Sequence, residues 1–506
     1  MPTEDLDVLI VGAGVSGIGM GCALKTQLPG KRFAIVERRQ NIGGTWDLFR
    51  FPGVRSDSDM YTYGYERRPW RDHKVLAEGA AIRNYLAETA RECGVDARVR
   101  HGLKIIDAAW SSDEQGWTVQ AVAQDGSPRR WRCRQLVMCT GYYNYDAGHT
   151  PEFPGIERFG GRVVHPQHWP EDIDYSGRRV VVIGSGATAV TLVPAMAGTA
   201  RHVTMLQRSP SYYFAVPARD PLTRALARVL PERWALALAR RRNLLLSHWL
   251  YTASRRWPER MRKFLLTQVE KRLDGKADMR HFTPSYMPWD QRLCIVPDAD
   301  LFRAIRSGKA SVETDHIAGF DADAVLLASG ARLEADLLVT ATGLDLQALG
   351  GTRIHIDGKP YLPQQHMFYK GVLMQDAPNL AWIVGYTNAS WTLKADLAAH
   401  YLCRLYAHMD VHGLGVATPR DREGCGSEGS IMGSLSSGYI QRANDRLPRQ
   451  GRKAPWRMAH HYPSDKAVLR DAPIDDGVLE FEPRRAANAT APGQIGPGSP
   501  TAILIP

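Results

Sequence analysis

Two glycine-rich loops, each set between an apolar run and a helix-forming stretch, constrain the fold of this chain more than any other feature. The first is Gly12-Ala13-Gly14-Val15-Ser16-Gly17, after the run Leu6-Asp7-Val8-Leu9-Ile10-Val11. The second is Gly184-Ser185-Gly186-Ala187-Thr188-Ala189, after Arg179–Ile183. A strand that ends in such a loop and opens a helix forms the phosphate-binding turn of a β-α-β unit. Its glycines allow a tight turn, close approach of the backbone to a pyrophosphate, and close packing of helix on sheet. Amides at the helix start, that of Ser16 among them, then face the phosphates. Each unit closes on a second strand, Phe33 to Val36 in one case and Val203 to Leu206 in the other. Two such units predict an α/β chain with two Rossmann-like dinucleotide-binding domains.

The ends of those second strands differ. The first stops at Glu37, twenty residues after Gly17, where a carboxylate accepts hydrogen bonds from a ribose diol. The second stops at Gln207-Arg208. A carboxylate there would repel a 2′-phosphate, whereas Arg208 can bind it in a charge-assisted contact. The second nucleotide is therefore expected to be NADPH.

The remaining sequence narrows the class. Seven cysteines, odd in number and never spaced C-x-x-C, support neither a disulfide framework nor a zinc site, and no histidine has metal-ligand spacing. The chain starts with Glu4, Asp5 and Asp7 and shows no basic, apolar leader, so a reducing cytoplasm is the expected location. No apolar run is long enough to span a bilayer. The net charge of +11 is concentrated: residues 219–272 hold fourteen Lys or Arg against four acids. Two readings of that segment stay open, a basic amphipathic surface in peripheral contact with membrane phosphates, or the solvated face of a helical subdomain. Nucleic-acid binding is not expected, since no recognition motif accompanies the charge. By pattern, residues 210–290 are mostly helical with breaks at Pro231 and Pro258, and 378–405 form a strand and a long helix.

Between the loops the chain reads Phe159-Gly160-Gly161-Arg162-Val163-Val164-His165-Pro166-Gln167-His168-Trp169-Pro170, which fits F-x-G-x-x-x-H-x-x-x-W-P at every fixed position. A second pattern, [AG]-G-x-W-x-x-x-x-[FY]-P-[GM]-x-x-x-D, is met by Gly43, Gly44, Trp46, Phe51, Pro52, Gly53 and Asp57. With these the chain resembles the type I Baeyer–Villiger flavin monooxygenases from about residue 5 to 485, and most of all their ethionamide-activating branch. The stretches Gly141-Tyr142-Tyr143-Asn144-Tyr145, Pro288-Trp289-Asp290-Gln291-Arg292 and Gly385–Thr392 carry that last likeness.

The resemblance implies FAD at the first loop and NADPH at the second. It implies that Gly44, Thr45 and Trp46 lie along the flavin and its pyrophosphate, that Asp57 sits beside the isoalloxazine and nicotinamide, and that Ile105 meets the adenine end. The active-site arginine of the family falls on Arg292, with Asp57 to orient it. A lysine precedes that arginine in several relatives; here Gln291 stands there, which leaves more of the phosphate recognition to Arg208. His165 is expected to couple the domains at least as much as to move protons. The implied division is an FAD-binding domain in two parts, 1–145 and 341–485, around an NADPH-binding domain, 146–340, with a helical insertion at about 210–290. Residues 486–506, rich in Ala, Pro and Gly, are expected to be a disordered tail.

The implied reaction converts small apolar ketones to esters or lactones with NADPH and O2, with oxygenation of sulfides or thioamides alongside it. The alternative is a flavin monooxygenase acting mainly on sulfur or nitrogen, and Trp169-Pro170 favours the former. A flavin disulfide reductase would share both loops but needs a redox-active cysteine pair.

Overall fold

The computed structural model describes residues 3–433 and 436–485; the expected tail, 486–506, lies outside the described residues. The first loop belongs to a large mixed sheet. Its parallel part places Phe33–Val36, Glu4–Val11, Pro128–Met138 and Leu380–Trp382 side by side. The register runs Val8↔Phe33 to Val11↔Val36 on one flank of the first strand and Val11↔Met138 on the other. An antiparallel meander, Leu103–Ser111, Gly116–Ala123 and Pro128–Met138, extends the sheet outward.

The second loop belongs to a separate, wholly parallel sheet in the order Ala310–Thr314, His202–Gln207, Arg179–Ile183, Leu337–Thr340, Arg162–Val164. Both faces of each sheet are covered, which explains why these strands are near-continuous apolar runs. Val8 and Ile10 pack into one core and Leu9 and Val11 into another. Val180 and Val182 likewise part from Val181 and Ile183. That alternation is the period of two of a pleated strand.

The chain passes from the first sheet to the second after residue 138 and returns after 340, and the strand pair Tyr143–Gly148 with Leu344–Leu346 joins the two crossings. Within the segment expected to be helical, helices span Pro221–Leu226, Glu232–Arg256 and Pro258–Leu273, with Pro231 capping the second and Pro258 opening the third. One strand was not foreseen there. Tyr213–Val216 pairs in parallel with Cys294–Pro297 and anchors the base of the insertion.

Candidate active site

A single cavity of about 1380 Å³ runs between the two sheets and past both glycine loops. It exceeds the roughly 300–1,000 Å³ of a one-ligand pocket, as a site for two dinucleotides and a substrate must. At each loop the first glycine is forced. Gly12 has φ +106°, and a Cβ there would stand 2.6 Å from the carbonyl oxygen of Cys139; Gly184 has φ +138° and would overlap that of Ala341. Each loop is thus pressed against the end of a neighbouring strand, Cys139-Thr140-Gly141 or Ala341-Thr342-Gly343. The helix starts are near copies, with Gly14 at φ −79°, ψ −168° and Gly186 at φ −79°, ψ −177°, and neither has a side-chain cap. Their leading amides are donors without an intrahelical acceptor, aimed where a phosphate would lie.

Glu37 is almost wholly buried, and its carboxylate accepts from Ala13 N at 2.7 Å and Arg39 N at 2.8 Å. Burial raises its pKa, and those two amides pull against the rise. Beside it, Gly44 at φ +56° lies against Gly14, and Trp46 Nε1 donates to the Tyr63 hydroxyl at 2.7 Å. Trp391 Nε1 donates to Ser16 Oγ at 2.8 Å, tying the first loop to the helix Trp391–Val411. At the second loop Arg208 is exposed and lines the cavity, while Gly186 has nothing within 4 Å of where a Cβ would be. That open cradle and the free amides are what a bound pyrophosphate requires.

Sixteen predicted residues line the cavity: Gly12, Gly14, Ser16, Glu37, Gly44, Thr45, Trp46, Asp57, Ile105, Gly184, Ser185, Gly186, Ala187, Thr188, Arg208 and Arg292. Three do not. A Cβ on Gly17 would overlap the carbonyl oxygen of Gly12, so this glycine serves helix packing, and Ala189 is fully buried. Gln207 turns inward, where its Nε2 donates to His281 O at 2.6 Å and Thr314 Oγ1 at 2.8 Å.

Arg292 and Asp57 face the same cavity, but no ion pair joins them within 4 Å among the described residues. The guanidinium instead donates from Nη2 to the Tyr142 hydroxyl at 3.4 Å, and its Nε is buried with no partner. Tyr439 first, then Tyr142, Tyr143 and Asp57, raise its already high pKa against the cost of burial. It is a fixed cation with a spare donor. Tyr439 and Tyr142 are neighbours the sequence reasoning assigned no role. Tyr142, Tyr143, Trp391 and Phe49 form an aromatic wall beside Arg292, with Tyr142–Tyr143 centroids 4.7 Å apart and Tyr142–Trp391 5.1 Å apart.

His165 lies outside the cavity lining, at the crossing between the sheets. Its Nε2 is 3.2 Å from Gly343 O, its Nδ1 accepts from Gln167 N at 3.1 Å, and burial lowers its pKa.

A family model described as flavin-binding monooxygenase-like matches residues 75–348, and an NAD(P)-binding Rossmann-like domain matches 10–67. The chain belongs to the flavin-binding monooxygenase-like family. It is a flavoprotein monooxygenase, of mixed α/β fold with two Rossmann-like sheets. The putative FAD-containing monooxygenase MymA of Mycobacterium tuberculosis is 57% identical to it over 493 residues, covering 96% of this chain and 100% of that protein. The FAD-containing monooxygenase EthA of the same organism is 48% identical over 486 residues, covering 96% and 99%. Of the two relatives MymA is thus the more similar, although the sequence motifs pointed to the ethionamide-activating branch. Among solved structures, an oxidized steroid monooxygenase bound to NADP superposes with a TM-score of 0.70 at 22% identity over 83% of this chain and 88% of that one. At that identity the likeness concerns the fold. No helix of the described residues is long and apolar enough to cross a membrane.

Proposed function

We propose that this flavoprotein holds FAD at the first loop and NADPH at the second, and uses O2 to convert apolar ketones to esters or lactones, with oxygenation of sulfides or thioamides as a side activity. The observation that carries the reading is Arg292, a fixed cation with an unpartnered donor, set in the cavity between the two loops and behind an aromatic wall. The family label over residues 10–67 names NAD(P), but the second loop carries the only one of the two strand ends suited to a 2′-phosphate, Arg208, and this leaves FAD to the first. FAD in the name of a relative and NADP in that of the superposed structure support the same pair of cofactors.

When bound, the two cofactors supply the hydride and oxygen chemistry. The protein supplies position and charge. Glu37 accepts hydrogen bonds from a ribose, and the amides after Gly14 and Gly186 hold pyrophosphates. Arg292 stabilises the negative charge that develops on a carbonyl oxygen as a nucleophilic oxygen adds to it, an effect on the order of 3 kcal/mol for one preorganised donor. Asp57, which lines the same cavity and makes no ion pair with Arg292 within 4 Å, adjusts the local field at the guanidinium and orients it. Tyr142, Tyr143 and Trp391 keep water from that charge, which strengthens it.

The test is a screen of NADPH consumption over linear, cyclic and aryl ketones and sulfides, with products identified by mass. Arg292→Ala is expected to bind FAD and oxidise NADPH while ester yield falls about a hundredfold or more. Normal ester yield from that variant removes Arg292 from the chemistry. Sulfoxides without any ester would replace this reading with the sulfur- or nitrogen-directed one.

A further inference from the structure

Of the thirteen exposed large hydrophobic side chains among the described residues, nine lie between 219 and 272, including all three exposed tryptophans. On the helix Glu232–Arg256, Trp234, Leu238, Leu245 and Trp249 recur at i, i+4, i+11 and i+15, one stripe along about 23 Å. They are 57%, 47%, 62% and 57% exposed. Single exposed leucines are ordinary; two tryptophans and two leucines aligned on one helix face are not. The opposite side of the same helix turns inward, with Ala235, Leu236, Ala239 and Ala253 buried, and Asn243, Leu250 and the exposed Ser247 lining the cavity. Leu246 belongs to both sides: it lines the cavity and is 58% exposed, which places it at the mouth.

The charge beside the stripe is one-sided. Residues 219–272 carry a net +10 of the chain's +11. Among the described residues the helix's ion pairs are Glu232 with Arg71, Arg242 with Asp220, and Arg255 with Asp290. Among the described residues the exposed Arg233, Arg241 and Arg256 make no ion pair, and the Arg233 guanidinium lies over the Trp234 ring, 5.9 Å from its centroid. Tryptophan and leucine on one face with arginine alongside is the composition of a helix that lies in the plane of an anionic interface. A second copy docking through the same stripe would bring two such cationic segments together, whereas lipid phosphates neutralise them.

We infer that the helix Glu232–Arg256 lies on an anionic lipid bilayer, with its Trp–Leu stripe in the headgroup region and the cavity mouth at Leu246 opening onto it, so that apolar substrates enter from the lipid phase. The delivery of substrate rests on the function proposed above; the docking does not.

The experiment uses the full-length, FAD-loaded protein and vesicles of phosphatidylcholine with or without phosphatidylglycerol. Co-sedimentation is expected to be about tenfold stronger with phosphatidylglycerol and to fall with added salt. The triple variant Trp234→Ser, Leu245→Ser, Trp249→Ser is expected to lose about tenfold in binding. None of these three side chains lines the cavity, so flavin content and turnover of a short water-soluble ketone are expected to hold. Wild-type protein that ignores the anionic vesicles, or a triple variant that binds them as well, overturns the docking. So does light scattering that finds a wild-type dimer broken by the triple variant with no vesicle binding, because the stripe would then be a contact between copies. With docking established, a long-chain ketone presented in vesicles is expected to turn over about tenfold more slowly in the triple variant. Equal turnover overturns delivery through the mouth. If no ketone is oxidised by the wild type, the proposed reaction fails while the vesicle result stands.

Discussion

The two glycine loops share a backbone and differ in what surrounds them. Both have a first glycine at a positive φ with no room for a Cβ, and both open a helix with almost the same dihedral angles. The first is then closed over: Gly44 packs against Gly14, Trp391 is tied to Ser16, and the acid at its strand end is buried. The second stays open, with empty space beside Gly186 and an exposed Arg208. One turn geometry therefore serves two purposes. An enclosed loop suits a cofactor that remains through many turnovers, and an open one suits a coenzyme that must leave after each, since the contacts made on burial must be broken to dissociate.

The largest test of that contrast is at the glycines that differ. Gly44→Ala is expected to destabilise the protein by about 2–3 kcal/mol, because φ is +56° and the added Cβ would lie 2.9 Å from Gly14 Cα, a backbone atom that cannot give way. The purified variant should be short of flavin, read by its absorption spectrum. Gly186→Ala has ordinary φ and open space, so its unfolding free energy should stay within about 1 kcal/mol of wild type. Its methyl would instead occupy the cradle and raise the Michaelis constant for NADPH. Equal flavin loss in both variants would break the distinction between the loops.

A smaller effect is expected at the basic strand end. Arg208→Ala should raise the Michaelis constant for NADPH by roughly tenfold to a hundredfold, the worth of a charge-assisted contact of about 1.5–3 kcal/mol, and leave that for NADH almost unchanged. Parallel changes for both coenzymes would take the 2′-phosphate away from Arg208. A further measurement concerns Arg208 and Arg442, which both line the cavity. Burial lowers the pKa of Arg442 most, Asp345 opposes it, and Arg446 and then Arg208 lower it further; an anionic phosphate bound beside Arg208 and Arg442 would relieve that repulsion. Arg442→Ala should accordingly raise the NADPH constant severalfold, less than Arg208→Ala.

Much of this was legible in the sequence because it is local. Glu4–Val11 and Arg179–Ile183 were readable as strands since each carries an apolar run that stops at a glycine, and the turn chemistry of Gly12 and Gly184 follows from their neighbours. Gln207 shows the limit. The last residue of a strand faces one of two sides, and only the packing of Thr314 and His281 decides which. The strand Tyr213–Val216 was hidden for a similar reason, because its partner lies some eighty residues later. Arg292 was found by motif, but its neighbours Tyr142 and Tyr439 come from distant parts of the chain. The repeated tyrosines of Gly141-Tyr142-Tyr143 were the one sequence signal that could have named the first of them. The stripe on Glu232–Arg256 could be read as amphipathic, but which face the cavity takes is a property of the fold.

The smallest predicted effect separates the acid of the first loop from the base of the second. Burial raises the pKa of Glu37, so between its unfolded and folded values the folded protein binds more protons than the unfolded chain. The contribution of this group to stability is then fully present below the ordinary carboxyl value and declines as pH rises through the folded one. Glu37→Gln removes the titration and also weakens the contacts to the Ala13 and Arg39 amides, a cost that does not depend on pH. In the flavin-free protein, the difference in unfolding free energy between wild type and Glu37→Gln is therefore expected to shrink as pH rises from the ordinary carboxyl range through the raised folded value. With FAD bound, the carboxylate gains ribose donors that favour its charged form, and the shrinkage should vanish or reverse. A slope that ignores FAD would detach Glu37 from the cofactor and leave it a structural brace for the turn.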